Sequence, residues 1–169
     1  MKHYKSSGNF DKWVIVVSIG IIGLLILALA LSKSSRPSGG NTTTSQLQAI
    51  EGSFDFGSIS MAKGKVNKVF TFKNNTASVI IAKKLYTSCM CTKATFTKGG
   101  KVFGPFGMPA HGFIPSFSEI IEPGQEAQVE VVFDPAAHGP AGVGTIERQA
   151  TLETSDGQIV FKFKAQVTP

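Results

Sequence analysis

Gln158–Val167 (QIVFKFKAQV) alternates almost perfectly: Ile159, Phe161, Phe163 and Ala165 lie on one side, with Lys162, Lys164 and Gln166 on the other. Successive strand residues point to opposite faces, so this pattern specifies a half-buried β-strand. The same period recurs at Ser53-Phe54-Asp55-Phe56-Gly57, at 66–72 (VNKVFTF) and at 129–133 (VEVVF). Turn signals separate such runs at Lys73-Asn74-Asn75, Glu122-Pro123-Gly124, Asp134-Pro135 and Ser155-Asp156-Gly157. The pattern predicts about seven strands, near 49–57, 65–73, 78–88, 92–98, 126–134, 146–154 and 158–167. The chain has 13 Phe, most of them inside these runs, enough to supply the core of an all-β, Ig-like antiparallel β-sandwich. The cross-sheet disulfide of antibody domains is absent, because the two cysteines, Cys89 and Cys91, stand two positions apart.

Upstream the character of the chain changes. No charged residue occurs from Trp13 to Ser32, and 14–31 is almost continuously apolar. At 1.5 Å per helical residue such a run nearly crosses a hydrocarbon core of about 30 Å. Residues 1–12 are expected to be a cytoplasmic tail, 13–32 one N-terminal transmembrane helix acting as a signal anchor, and 33–48 a flexible linker. Residues 49–169 then form the extracytoplasmic β-sandwich. Lys2, Lys5 and Lys12 precede the span and Lys33 and Arg36 follow it, a small bias toward an inside N-terminus. A cleaved signal peptide is the rival reading, since Ala28-Leu29-Ala30 fits a small-x-small site. Either reading exports the domain.

The formal charge of +6 suggests nucleic acid until it is located. Residues 1–36 hold five Lys/Arg against one Asp, leaving 12 Lys/Arg and 10 Asp/Glu for the rest. The surplus therefore flanks the apolar span, and no basic block interleaved with aromatics marks the globular part. Nucleic acid is excluded as a partner, and the membrane is the expected one. The polar linker sequence SSRPSGGNTTTSQLQ reads as a tether. Asn41-Thr42-Thr43 and Asn74-Asn75-Thr76 match the glycosylation triplet, a match common by chance.

Five motifs occur in a telling order: Phe54-Asp55-Phe56-Gly57, Val69-Phe70-Thr71-Phe72-Lys73-Asn74, Ser88-Cys89-Met90-Cys91-Thr92, Ile121-Glu122-Pro123-Gly124 and Val132-Phe133-Asp134-Pro135. Over residues 50–168 the chain resembles the bacterial family called domain of unknown function 1573. The resemblance implies an Ig-like fold related to the ASH and major sperm protein domains, in a secreted or membrane-anchored protein with no established general activity. The family usually has Gly where this chain has Met90, and a shorter segment than 97–122 before the Pro-Gly turn.

Chemistry concentrates at Cys89-Met90-Cys91. In an extended strand the two cysteines would face the same way with Cα atoms about 6.6 Å apart, near the upper limit for a disulfide. A local bend would be needed to close one. In the same geometry Met90 would face away and join a site only if the chain turns. Three readings stay open: an exchangeable disulfide, packed inert thiols, and a metal or redox site. Thiolates and thioethers are soft ligands suited to Cu(I). A metal site built from Cys89, Cys91, His111 and Met108 is chemically sensible for copper if the loop 99–115 folds back over the strand end. Met108 also reads as a hydrophobic plug beside Phe103, Phe106 and Phe113. His138, within Ala136-Ala137-His138-Gly139-Pro140, reads first as part of a turn.

No Ser-His-Asp order, paired carboxylates or phosphate-binding Gly loop stands out, so no catalytic residues are assigned and an enzyme is not expected. Thiol oxidoreductases more usually carry Cys-x-x-Cys at a helix start. The expected function is a membrane-anchored extracytoplasmic Ig-like module that binds or scaffolds an unknown protein or envelope partner. The alternative is an exported copper-binding domain using the Cys-Met-Cys motif with a Met/His loop.

Overall fold

Period-two alternation builds ten strands in the computed structural model, which describes residues 44–109, 113 and 115–169. In chain order they are β1 (Gln48–Ala49), β2 (Ser53–Ser60), β3 (Val66–Lys73), β4 (Ile80–Thr87), β5 (Thr92–Lys98), β6 (Lys101–Phe106), β7 (Glu119–Ile121), β8 (Glu126–Phe133), β9 (Gly144–Thr154) and β10 (Gln158–Thr168). The expected tail at 1–12, the apolar span at 13–32 and His111 lie outside the described residues. Among the described residues no helix is long and apolar enough to cross a membrane.

The strands form two five-stranded sheets, ordered β1-β3-β8-β5-β6 and β2-β10-β9-β4-β7. On β10, Ile159, Phe161, Phe163, Ala165 and Val167 are buried while Lys162, Lys164 and Gln166 are exposed, as the alternation requires. Phe70 and Phe72 of β3 face them from the other sheet. The Phe161 ring lies 5.3 Å from Phe70 and 5.7 Å from Phe72, centroid to centroid. Each fully buried aromatic of this kind contributes about 1.5–3 kcal/mol by removal from water, so these rings bind the two layers together.

The sandwich is not purely antiparallel. β2 runs parallel to β10, with Phe54 opposite Phe163 and Ile59 opposite Val167. Alternation is the same in either chain direction, so it carries no information on this point. No hairpin joins the two strands to impose an antiparallel sense, because β2 passes through a 3-10 turn (Met61–Lys63) into the other sheet.

Three strands exceed the seven expected: β1, β6 and β7. β6 arises because Gly99 and Gly100 both take positive φ, 55° and 81°. They close a two-residue hairpin between Lys98 and Lys101, the arrangement that a primed turn demands. The glycine-rich stretch read as loop is therefore partly strand. Lys98 Nζ and Lys101 Nζ then grip the buried Glu119 carboxylate of β7 at 2.8 and 3.0 Å, holding its carboxyl below the ordinary range.

The end of the expected tether is also built in. Thr44 bridges to Gln158, and Leu47 is buried in the core. The Asp156 carboxylate accepts from the Ser45 hydroxyl at 2.8 Å and the Gln46 N–H at 2.9 Å. Burial pushes that carboxyl up, but bonds from the Thr154 hydroxyl, the Gln46 N–H and the Ser45 hydroxyl outweigh it, and the net shift is downward.

Asn74 of the second glycosylation triplet is fully buried. Its Nδ2 donates to the carbonyls of Ser78 and Ile121, both at 2.8 Å, and its Oδ1 accepts from the Thr76 N–H and hydroxyl. A glycan on Nδ2 would break this arrangement, so the triplet is a structural tie between the β3–β4 turn and β7. Asn74→Ala removes this donor from the Ile121 carbonyl, while the Ser78 carbonyl keeps the Thr76 hydroxyl at 3.0 Å, a loss of about 1–3 kcal/mol. Urea denaturation checks this; a loss under about 1 kcal/mol would refute the tie.

Candidate metal and redox centre

β4 belongs to one sheet and β5 to the other, so the chain must cross between layers after Thr87. It does so in a tight turn, with the Thr92 N–H donating to the Cys89 carbonyl at 3.1 Å. Three contacts fix this turn to its surroundings. The Thr87 hydroxyl, buried beneath it, lies 3.0 and 3.1 Å from the carbonyl oxygens of Cys89 and Thr92. The Ser88 N–H donates to the Gln149 carbonyl of β9 at 3.0 Å, and the Asp134 N–H donates to the Cys91 carbonyl at 2.9 Å.

The cysteines therefore sit in a bend rather than an extended strand, and their Cα atoms are 5.2 Å apart. This is the local bend that disulfide closure needs, and the sulfurs are joined. Of the three readings of the pair, the structure takes the disulfide. The ring it closes holds one intervening residue. Loop-closure entropy for so short a ring amounts to about 1.6 kcal/mol, and none of the three contacts above involves sulfur. The turn is held by its backbone.

β5 pairs antiparallel with β8, Thr92 opposite Phe133. That register sets the turn before β5 beside the loop after β8. The loop is itself tightly wound: Asp134 Oδ1 accepts from the Ala136 N–H at 2.9 Å, and the Gly139 N–H donates to the Ala136 carbonyl at 2.9 Å. His138, exposed at its tip, points its Nε2 to within 3.1 Å of Cys89 Sγ. A disulfide sulfur carries no hydrogen, so the imidazole N–H donates. Ligand atoms of Cys89, Cys91 and His138 all lie within 4.8 Å of one another.

The cluster opens to a cavity of about 510 Å³. Met90 and Met108 line it, with Ser88, Glu147 and Arg148 completing the wall. Met90 reaches the site because the chain turns, and it is half exposed. Met108 arrives because the Thr87 N–H donates to the carbonyl of its neighbour Gly107 at 3.1 Å. The structure thus brings together Cys89, Cys91 and Met108 of the expected set. The imidazole at their side is that of His138, which the local sequence marked only as a turn residue. Its placement depends on the β5–β8 register across 40 residues of chain, and no short-range signal carries that.

A search of curated proteins returned no match to the chain. Among solved structures, a protein of unknown function from Porphyromonas gingivalis W83 is similar at 14% identity and a TM-score of 0.53, over 78% of this chain and 51% of that one. The present chain thus spans about half the length of that relative, and the likeness shows a shared fold. The ASH/PapD-like domain 7 of human CEP192 aligns at 13% identity over 79% of this chain and 92% of that domain, with a TM-score of 0.43. Residues 47–102, which hold β1 to β5 and the cysteine turn, match the family model described as "Protein of unknown function (DUF1573)", the family that the five sequence motifs resemble.

Proposed function

We propose that this chain is a membrane-tethered, single-pass extracytoplasmic Ig-like module that acts by binding rather than catalysis, and that its reduced cysteine turn holds Cu(I). The convergence of Cys89, Cys91 and His138 within 4.8 Å carries this reading. Donors bound at about 2.0–2.3 Å to one ion lie no more than about 4.6 Å apart, so small adjustments suffice once the sulfurs separate. Two thiolates, an imidazole and two nearby thioethers make a soft set, which favours Cu(I) over harder divalent ions. The uncharged run from Trp13 to Ser32 supports the tether, and the polar stretch after it gives the domain reach.

Anaerobic titration of the reduced 169-residue chain, purified in detergent, against a competing Cu(I) chelator tests this. One tightly held Cu(I) per chain is expected. His138→Ala should weaken binding by about 10–100-fold, the range seen when even an outer partner of a metal ligand is lost. The parallel His111→Ala variant decides between the ligand set read from sequence and the one the fold assembles. No Cu(I) binding would refute the metal site and leave a module that scaffolds a protein or envelope partner.

A further inference from the structure

A copper site needs two thiolates, whereas the folded chain presents a disulfide. Its two sulfurs differ in access. Both cysteines are buried, at 7% and 3% exposure, but Cys89 forms part of the cavity wall while Cys91 does not, its Sγ lying 3.6 Å from the buried Thr92 hydroxyl. The same wall carries Arg148, which makes no ion pair among the described residues. Its Nε is buried without a hydrogen-bond partner, and Nη1 donates only to the Glu147 backbone carbonyl at 2.7 Å. Arg148 and Cys89 line the same cavity, with Glu147 also on its wall; a cation near a sulfur favours the thiolate that approaches or leaves it.

We infer that the Cys89–Cys91 disulfide undergoes thiol–disulfide exchange with an exported dithiol, which attacks Cys89 Sγ through this cavity and opens the copper site. The link to copper rests on the function proposed above; the exchange stands on the geometry of the turn. One thiolate of the donor bonds to Cys89 Sγ. The Cys89–Cys91 bond breaks, and its electron pair leaves on Cys91 Sγ, which is then protonated from solvent. The donor's second thiolate then attacks its own bound sulfur. The donor–Cys89 bond breaks, and the electron pair leaves on Cys89 Sγ next to the His138 N–H. The donor ends as a disulfide, oxidised by two electrons, and the chain gains two thiols. The Cys91 N–H donates to Cys89 Sγ at 3.3 Å, but the turn's bonds to Thr87, Gln149 and Asp134 do not involve sulfur and survive the exchange.

The test uses the native, oxidised 169-residue chain in detergent, exposed to excess dithiothreitol without denaturant, then alkylated and weighed by mass spectrometry. Addition of two alkyl groups to the folded chain is expected. Cys91→Ser, which leaves Cys89 free, should react with an aromatic disulfide probe at least about tenfold faster than Cys89→Ser, which leaves Cys91 free. Arg148→Gln should slow opening by dithiothreitol, with Arg148→Lys restoring it. Reduction only in denaturant, or equal labelling of the two single-cysteine variants, would overturn the inference. A chain reduced in denaturant, refolded and found to bind Cu(I) would in that case leave the copper reading intact. Ready native reduction without Cu(I) binding would instead sustain the exchange and remove the copper reading.

Discussion

The reduced Cys89→Ser/Cys91→Ser chain should bind Cu(I) more than about 1,000-fold more weakly than the reduced natural chain. Losing an outer partner of a ligand costs roughly 10–100-fold in metal affinity, and this variant removes two of the three converging donors. Serine hydroxyls do not replace them: they are hard oxygen donors that stay protonated at neutral pH, while Cu(I) prefers thiolate. The fold should survive, since the disulfide closes a ring worth about 1.6 kcal/mol and the turn keeps its bonds to Thr87, Gln149 and Asp134. Competition with a Cu(I) chelator measures the affinity, and circular dichroism confirms that the β-structure persists. Equal affinity in the double variant would place the metal elsewhere and end the case for this turn.

Phe161→Ala should lower the unfolding free energy by about 3–5 kcal/mol, the usual cost of truncating a fully buried Phe. Phe161 sits near the middle of β10 with no exposed surface, and its ring packs against Phe70 and Phe72 of the opposite sheet. Removing it leaves a void between layers. Those layers belong to hydrogen-bonded sheets, which restricts how far they can close it. Lys162→Ala, one residue along on the exposed face, should change stability by no more than about 0.5 kcal/mol. Guanidinium denaturation of both variants gives the comparison. Similar losses at 161 and 162 would contradict the assignment of faces.

Much of the fold was legible in local pattern, and particular residues show why. Ile159, Phe161 and Phe163 were assigned to the core face from alternation alone, and they are buried there. The Gly99-Gly100 pair was also a readable signal, since two consecutive glycines flanked by matched residues favour a two-residue hairpin. Its neighbours Val102, Gly104 and Pro105 break the alternation, which hid β6 inside a presumed loop. Leu47 escaped for the opposite reason. One apolar residue in a polar tract has no period to detect, yet the core of the sandwich buries it.

The candidate site divides the same way. Cys89, Cys91 and Met108 were identifiable by donor chemistry; Cys89 and Met108 line the cavity, and Cys91 is bonded to Cys89. Whether the cysteines lay in a strand or a bend turned on β4 and β5 joining different sheets. His138 carried no mark of its own, because its role depends on a neighbour 49 residues away in sequence.

By itself, then, the sequence determined which residues face inward, where the chain turns and which soft donors it carries, because these follow from side-chain period, backbone preference and ligand chemistry within a few residues. Tertiary structure alone decided that β2 runs parallel to β10 and that His138 meets Cys89. Strand direction and register are settled by packing two sheets against each other over long loops. That free energy belongs to the whole sandwich, and no local segment encodes it.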